Sequence, residues 1–250
     1  MSGGLRALAI LALVTAVLTW AAGATVLNRS ALLHIVDTQC LPHWRAQQDP
    51  APCLQVTLPD PGGERAGYVV LPDRKGGAHF LLIPTRPLSG IESPELLDSG
   101  TTNYFAAAWE ARSHMEQFLG QSLPRDAVGL AINARRSRGQ DQLHIHMECL
   151  GTELTMELKA LNWPSDNLWH TVQLGRFRYQ ALRVSGENLA SLNPFQLVAR
   201  ALPDARENMG AYTLLVAGWK FPEGPGFIEL ASATAPGSET LLDSTCAVAR

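Results

Sequence analysis

Two histidines one residue apart, His144 and His146, carry the strongest chemical signal in this chain. They close the run Asn133-Ala-Arg-Arg-Ser-Arg-Gly139-Gln140-Asp141-Gln142-Leu143-His144-Ile145-His146-Met147-Glu148. From Gln142 to Leu150 polar and apolar residues alternate, which is the period of a strand whose successive side chains point to opposite faces. Leu143, Ile145, Met147 and Cys149 then face a core, while Gln142, His144, His146 and Glu148 share the outward face. Three readings fit such a row. Two neutral surface histidines would be inert. A metal site would let both rings converge on one ion, with Glu148 and Glu153 as further ligands at no diagnostic spacing. A nucleophilic imidazole would bond covalently to phosphorus. With an ordinary pKa of about 6.5, such a ring is neutral and competent near pH 7.

Arg135, Arg136 and Arg138 lie one loop before the histidines. They read either as a solvated loop or as a phosphate clamp, and their position favours the clamp, because guanidinium pairs bidentately with phosphate oxygens. The net charge of −3 provides no basic field for nucleic acid.

The elements that must position these residues are legible from pattern. Ser30 caps a short helix over 31–36, and the Pro-, Gln- and Asp-rich stretch from Pro42 to Pro61 reads as an irregular loop. Residues 66–71 and 79–84 read as strands joined by a turn at Gly76-Gly77. Ser93-Pro94-Glu95 is a helix start. Tyr104, Ala108, Trp109, Met115, Phe118 and Leu119 recur at helical spacing up to Gly120, which ends that helix. Residues 127–133 are a strand, 134–140 a loop and 141–149 the histidine strand. Hairpin, helix, hairpin predicts an α+β fold, an antiparallel sheet covered by helices. Strand 176–185, helix 194–208 and strands 211–219 and 226–232 follow; they are either an added layer or a degenerate second α+β half at about 165–250.

Hydrophobic content of 46% and charged content of 17% describe a globular core plus one very apolar segment. Ala7 to Leu27 carries no charge, and at about 1.5 Å per residue it is long enough to cross a bilayer core of roughly 30 Å. Ala22-Gly23-Ala24 would serve a signal peptidase, but the segment exceeds a usual signal core, so a retained single-pass helix is expected. Residues 1–29 are then an anchor and 30–250 the catalytic domain. Cys40, Cys53, Cys149 and Cys246 all lie beyond it, with no Cys-x-x-Cys pair, and suggest two disulfides on the oxidising side of a membrane. Of the three possible pairings we expect Cys149 with Cys246, which ties down the C-terminus, and Cys40 with Cys53.

Asn133, Gly139-Gln140 and His144-Ile-His146-Met resemble the histidine triad (HIT) superfamily, with Glu148 standing where the third histidine would be. His79-Phe-Leu-Leu-Ile-Pro84 resembles that superfamily's apolar strand. The apolar N-terminus, Cys40-Leu-Pro42, Ala66-Gly-Tyr-Val-Val-Leu71, Ala131-Ile-Asn133 and Pro203-Asp-Ala-Arg-Glu-Asn-Met-Gly210 resemble the membrane-bound CDP-diacylglycerol diphosphatases of bacteria. The resemblance covers nearly the whole chain. It implies a HIT-like sheet behind an N-terminal transmembrane helix, in the bacterial inner membrane with the catalytic domain on the periplasmic side. The implied reaction is hydrolysis of CDP-diacylglycerol to CMP and phosphatidate, without cofactor or metal, with the substrate and the lipid bilayer as partners. His146 would attack the nucleotide phosphorus and His144 orient the site. Asn133, Gln140 and Arg135 would contact ribose and phosphate, Glu148 would lie near the leaving group, and Phe80 and Leu82 would line an apolar nucleoside pocket. The alternatives are a tethered nucleotide hydrolase or nucleotidyl transferase with a soluble substrate, a non-catalytic exported nucleotide- or lipid-binding protein, and, third, a metal-dependent hydrolase.

Overall fold

The computed structural model describes residues 29–249. Ten antiparallel strands form one sheet. They are β1 (Gln55–Thr57), β2 (Tyr68–Pro72), β3 (Phe80–Pro84), β4 (Val128–Ile132), β5 (Ile145–Leu150), β6 (Trp169–Leu174), β7 (Phe177–Ser185), β8 (Thr213–Phe221), β9 (Gly224–Ser232) and β10 (Leu242–Asp243). Their order is β1-β2-β3-β5-β4-β8-β9-β7-β6, and β10 pairs with Cys149 and Leu150 of β5, just past the stretch of β5 that β3 covers. One half of the sheet reads β2-β3-β5-β4; the other reads β8-β9-β7-β6, the same order reversed about the β4–β8 junction.

This corrects the expected architecture. Among the described residues the body is the ten-stranded sheet, and the helices are few and short, the longest being the nine residues of Thr152–Ala160. Among the described residues no helix is long and apolar enough to cross a membrane. The span expected at Ala7 to Leu27 lies outside the described residues. The single-pass inner-membrane placement that depended on it is therefore withdrawn.

The sheet is apolar on both faces. One face holds the largest core, where Leu82, Leu130, Ile145, Met147, Val216 and Phe227 meet the helices Tyr104–Ala111, Ser113–Leu119 and Pro194–Ala201. Tyr104–Ala111 begins where Asn103 Oδ1 accepts the Ala106 N–H at 3.1 Å, a cap of roughly 1 kcal/mol. Its Trp109 packs so closely on β8 that a Cβ at Gly218 would lie 2.5 Å from the indole ring. The other face carries two smaller cores. Leu32, Val36 and Leu41 cover Val69, Leu81 and Ile83 at one end; Leu154 and Leu158 cover Leu150, Leu215 and Leu230 at the other.

The hairpin of β2 and β3 forms as expected. Other boundaries move for identifiable reasons. Helix Pro194–Ala201 stops short because Pro203 disfavours helical geometry at Leu202, which is extended with ψ 137°. Pro94–Leu97 is a single 3-10 turn. The stretch 42–61 is not wholly irregular: it holds most of helix Leu41–Gln47 and strand β1, stapled by the Cys40–Cys53 disulfide. Cys149 bonds to Cys246 as expected.

Candidate active site

The two small cores leave a gap on their face of the sheet, and the histidine row fills it. β5 presents His146 and Glu148 there, with His144 just before it, while Ile145, Met147 and Cys149 enter the main core. β3 pairs Leu81 with His146, and the same register brings His79 opposite Glu148. β4 pairs Ala131 with His146 and brings Asn133 opposite His144. The alternation is as expected, but the face is not open. His144, His146, Glu148, His79 and Asn133 are all buried. The segment Ser238–Leu241 closes over them, with Glu239 N–H donating to Asn133 Oδ1 at 3.3 Å. Gly237 permits that approach, since a Cβ there would lie 2.4 Å from Asn133 Oδ1.

Three imidazoles and three carboxylates meet in this gap. His79 Nε2 lies 2.9 Å from His146 Nδ1 and 3.1 Å from Glu148 Oε1. His79 Nδ1 faces Asp73 Oδ1 at 3.6 Å. On the far side of the ring, His146 Nε2 lies 3.1 Å from Glu239 Oε2, an ion-pair distance, yet out of line for a hydrogen bond. It is a buried nitrogen without a hydrogen-bond partner. His144 Nδ1 meets the Gln142 carbonyl at 2.7 Å. That contact requires the proton on Nδ1 and leaves Nε2 with a lone pair.

Burial is the largest influence on the three imidazoles and on Glu148. It lowers the pKa of His79, His144 and His146, and the neighbouring rings lower His146 further. All three rings are thus neutral at pH 7. Burial, reinforced by Glu239 and Asp73, pushes Glu148 up to about 8, so its carboxyl keeps its proton. A neutral row flanked by a protonated acid can receive a phosphate anion without like-charge repulsion from Glu148. The ligand atoms of His79, His146 and Glu148 also lie within 4.8 Å of one another, and this buried set of two imidazoles and a carboxylate could hold a divalent cation.

The remaining sequence candidates are distributed as follows. Asn133 joins the histidines. Gln140 Oε1 instead accepts the Leu32 N–H at 3.3 Å, fastening helix Ala31–Ile35. Arg138 is buried against Glu92 at 2.6 and 2.7 Å, and Arg136 holds the Ala211 and Ala235 carbonyls. Arg135 keeps an exposed guanidinium, 3.4 Å from Glu92, in an open cleft of about 480 Å³ shared with Arg206 and Asn208. Asp141 turns to Arg29 and Arg138, whose guanidiniums hold it down at about 2. Phe80 and Leu82 are not brought to the histidines: they oppose Met147 and Ile145 and point into the main core.

A family model described as CDP-diacylglycerol pyrophosphatase matches residues 27–250. A CDP-diacylglycerol pyrophosphatase of Yersinia pestis is 38% identical over 229 residues, covering 88% of this chain and 85% of that protein. The chain belongs to the CDP-diacylglycerol pyrophosphatase family. The resemblance to the bacterial CDP-diacylglycerol diphosphatases is thereby borne out, and with it the assignment as a hydrolase.

Three members of this cluster were missed in the sequence. His79 was seen only as the start of a strand; its parity with Leu81 placed it on a face, but its partner depended on the β3–β5 register. Asp73 sits in the turn before it. Glu239 comes from a C-terminal segment with no pattern of its own, and only the Cys149–Cys246 tether hinted that this segment returns to β5.

Proposed function

We propose that this chain hydrolyses the pyrophosphate bond of CDP-diacylglycerol to CMP and phosphatidate, through a nucleotidyl intermediate on His146, as a step of phospholipid metabolism. The observation that carries the reading is the Nε2 of His146, buried and without a hydrogen bond, in a row of neutral rings. Family membership supports the substrate.

The Nε2 lone pair attacks the phosphorus bearing cytidine. A P–N bond forms, the P–O bond to phosphatidate breaks, and its electron pair leaves on the phosphatidate oxygen. Water then attacks the same phosphorus. A P–O bond forms, the P–N bond breaks, the pair returns to Nε2, and the water's proton passes to the Glu148 carboxylate left by the first displacement. Two displacements replace one difficult attack by water. With Nδ1 protonated, His146 donates to His79 Nε2, and His79 turns its own Nδ1–H toward Asp73. Protonated Glu148 can donate toward the departing phosphate. Asn133 supports the Glu239 segment, and Arg135, exposed in its cleft with Arg206 and Asn208, is the candidate for an outer phosphate oxygen. The reversed strand order supports reading residues 165–250 as a degenerate second half, whose strand β9 carries Ile228 and Leu230 in the second apolar core and extends the sheet that holds the row.

One observation favours a second reading, with His144 as nucleophile: its Nδ1 is fixed on a backbone carbonyl and its Nε2 bears the lone pair. Such a ring accepts a hydrogen bond at Nε2 and cannot donate one to phosphate oxygen until protonated.

Incubation with CDP-diacylglycerol labelled in the cytidine-bearing phosphate tests the chemistry. A labelled protein whose label is lost in acid and kept in base is expected, as for a phosphoramidate. Turnover that disappears on metal chelation, with no labelled protein, would favour the cation reading of His79, His146 and Glu148. Absence of any turnover of the lipid would favour a soluble substrate or a binding role.

A further inference from the structure

The residues of the histidine site leave one apolar groove unexplained. It has a volume of about 530 Å³ and lies between the β2–β3 turn and helix Ser113–Leu119. Leu54, Pro72 and Phe80 line it with Phe118. Phe118 is 59% exposed and Leu54 43% exposed, two of the four large hydrophobic side chains left open to solvent among the described residues. Phe118 is not a loose side chain: its ring stands edge-on to Phe80 at 6.1 Å. Isolated apolar residues on a surface need no explanation, but a concave set of this size falls in the range of about 300–1,000 Å³ typical of ligand sites.

The groove also has a direction. Asp73 lines its edge and is the same residue that faces His79 Nδ1 at 3.6 Å. His79 immediately precedes Phe80, the first residue of β3, so the two side chains take opposite faces, and Asp73 links the groove on one face to the imidazole row on the other. Gly76 and Gly77 form the lip there, both with positive φ, of 74° and 75°. A ligand with a phosphate in the row and an apolar tail can bend round this lip.

We propose that the groove takes an acyl chain of the lipid substrate, with Phe118 and Leu54 as determinants of specificity for acylated over unacylated pyrophosphates. This rests on CDP-diacylglycerol being the substrate. The acyl chain is favoured over other occupants because the groove is apolar, is bordered by the Asp73 that faces His79 of the row, and would otherwise leave two large side chains in water.

The test compares CDP-diacylglycerol in mixed micelles with CDP-glycerol, which has the same pyrophosphate and no acyl chains, for the full chain and its Phe118→Ser and Leu54→Ser variants. The parent should prefer the acylated substrate. Each variant should raise KM for it about ten-fold, the loss of one buried apolar contact, with kcat unchanged. Kinetics on CDP-glycerol should stay at parent values, which also shows that the variants fold. Equal effects on both substrates, or none on the lipid, would overturn the proposal while leaving the hydrolase reading intact. A parent dimer that the Phe118→Ser variant splits would mean that a second copy fills the groove, and would also overturn it. A parent that hydrolyses neither substrate would instead remove the function on which the groove depends.

Discussion

Three imidazoles within 5.2 Å of one another, centre to centre along the chain His79–His146–His144, cannot all be charged in a buried site. On the proposed mechanism their neutrality makes nucleophilic chemistry available near pH 7, and Glu148 should set its upper limit. With a pKa raised to about 8, Glu148 keeps its proton below that pH and becomes an anion beside the pyrophosphate above it. Turnover should therefore fall as pH rises through about 8. Glu148→Gln stays neutral throughout, so the alkaline limb of its kcat/KM profile should flatten, with activity at neutral pH reduced by about 10–100-fold if the acid assists departure. An alkaline limb unchanged in the variant would assign it to another group. Much of this site was legible in residue types: His144, His146, Glu148 and Asn133 stand together, and alternation put the first three on one face. Their burial was not legible, because alternation reports which residues share a face and says nothing of what covers it.

What covers it is a matter of elements. The lid over the row is Ser238–Leu241, remote in sequence and without periodic pattern, held by the Glu239 N–H on Asn133, the Ser238 N–H on Thr213 Oγ1 at 2.7 Å, the Gly151 N–H on the Leu241 carbonyl at 2.9 Å, and β10 on β5. Gly237 sits at an ordinary φ of −57°, so its role is space and not backbone freedom. Gly237→Ala would press a methyl onto the Asn133 amide and shift Glu239 from His146. We expect a fall in kcat/KM of about ten-fold or more with a stability change within about 1 kcal/mol, read by steady-state kinetics and thermal melting. Parent activity in that variant would mean that the segment does not need its present seat. Strands β2, β3, β4 and β5 were readable because each is a short apolar or alternating run between turn residues. β1, β6 and β10 were not: two are very short, and β6, Trp-His-Thr-Val-Gln-Leu, is an edge strand only half-buried, so its pattern resembles a polar loop.

At the scale of the whole molecule, one sheet carries both halves, and this is where the expected architecture changed most. Hairpin-helix-hairpin was read as a small sheet under helices; pairing of β4 with β8 instead fuses the two halves into a single ten-stranded sheet. Such pairing depends on contacts more than 80 residues apart, between Gly129 and Ala217 for example, and no local pattern encodes it. The Cys149–Cys246 bond closes a loop of comparable length, with a separation of 97 residues, and fastens the lid-bearing terminus to the back of the histidine strand. Replacing both cysteines by alanine should cost about 2–5 kcal/mol, since cross-links over long loops restrict the unfolded chain most. Denaturant unfolding of the variant against the parent would measure it; a loss below about 1 kcal/mol would show that β10 and the core contacts hold the terminus unaided.

The central claim is that a histidine of this row carries the nucleotide, and that the histidine is His146. The most direct measurement is to quench turnover of labelled CDP-diacylglycerol in base, digest the protein and locate the nucleotidyl group by mass spectrometry, in the parent and in His146→Asn. The account predicts the group on His146 in the parent, and in the variant no adduct and turnover reduced by about 10³-fold or more. A nucleotidyl group on His144, or a variant that retains activity within about ten-fold of the parent, would contradict it.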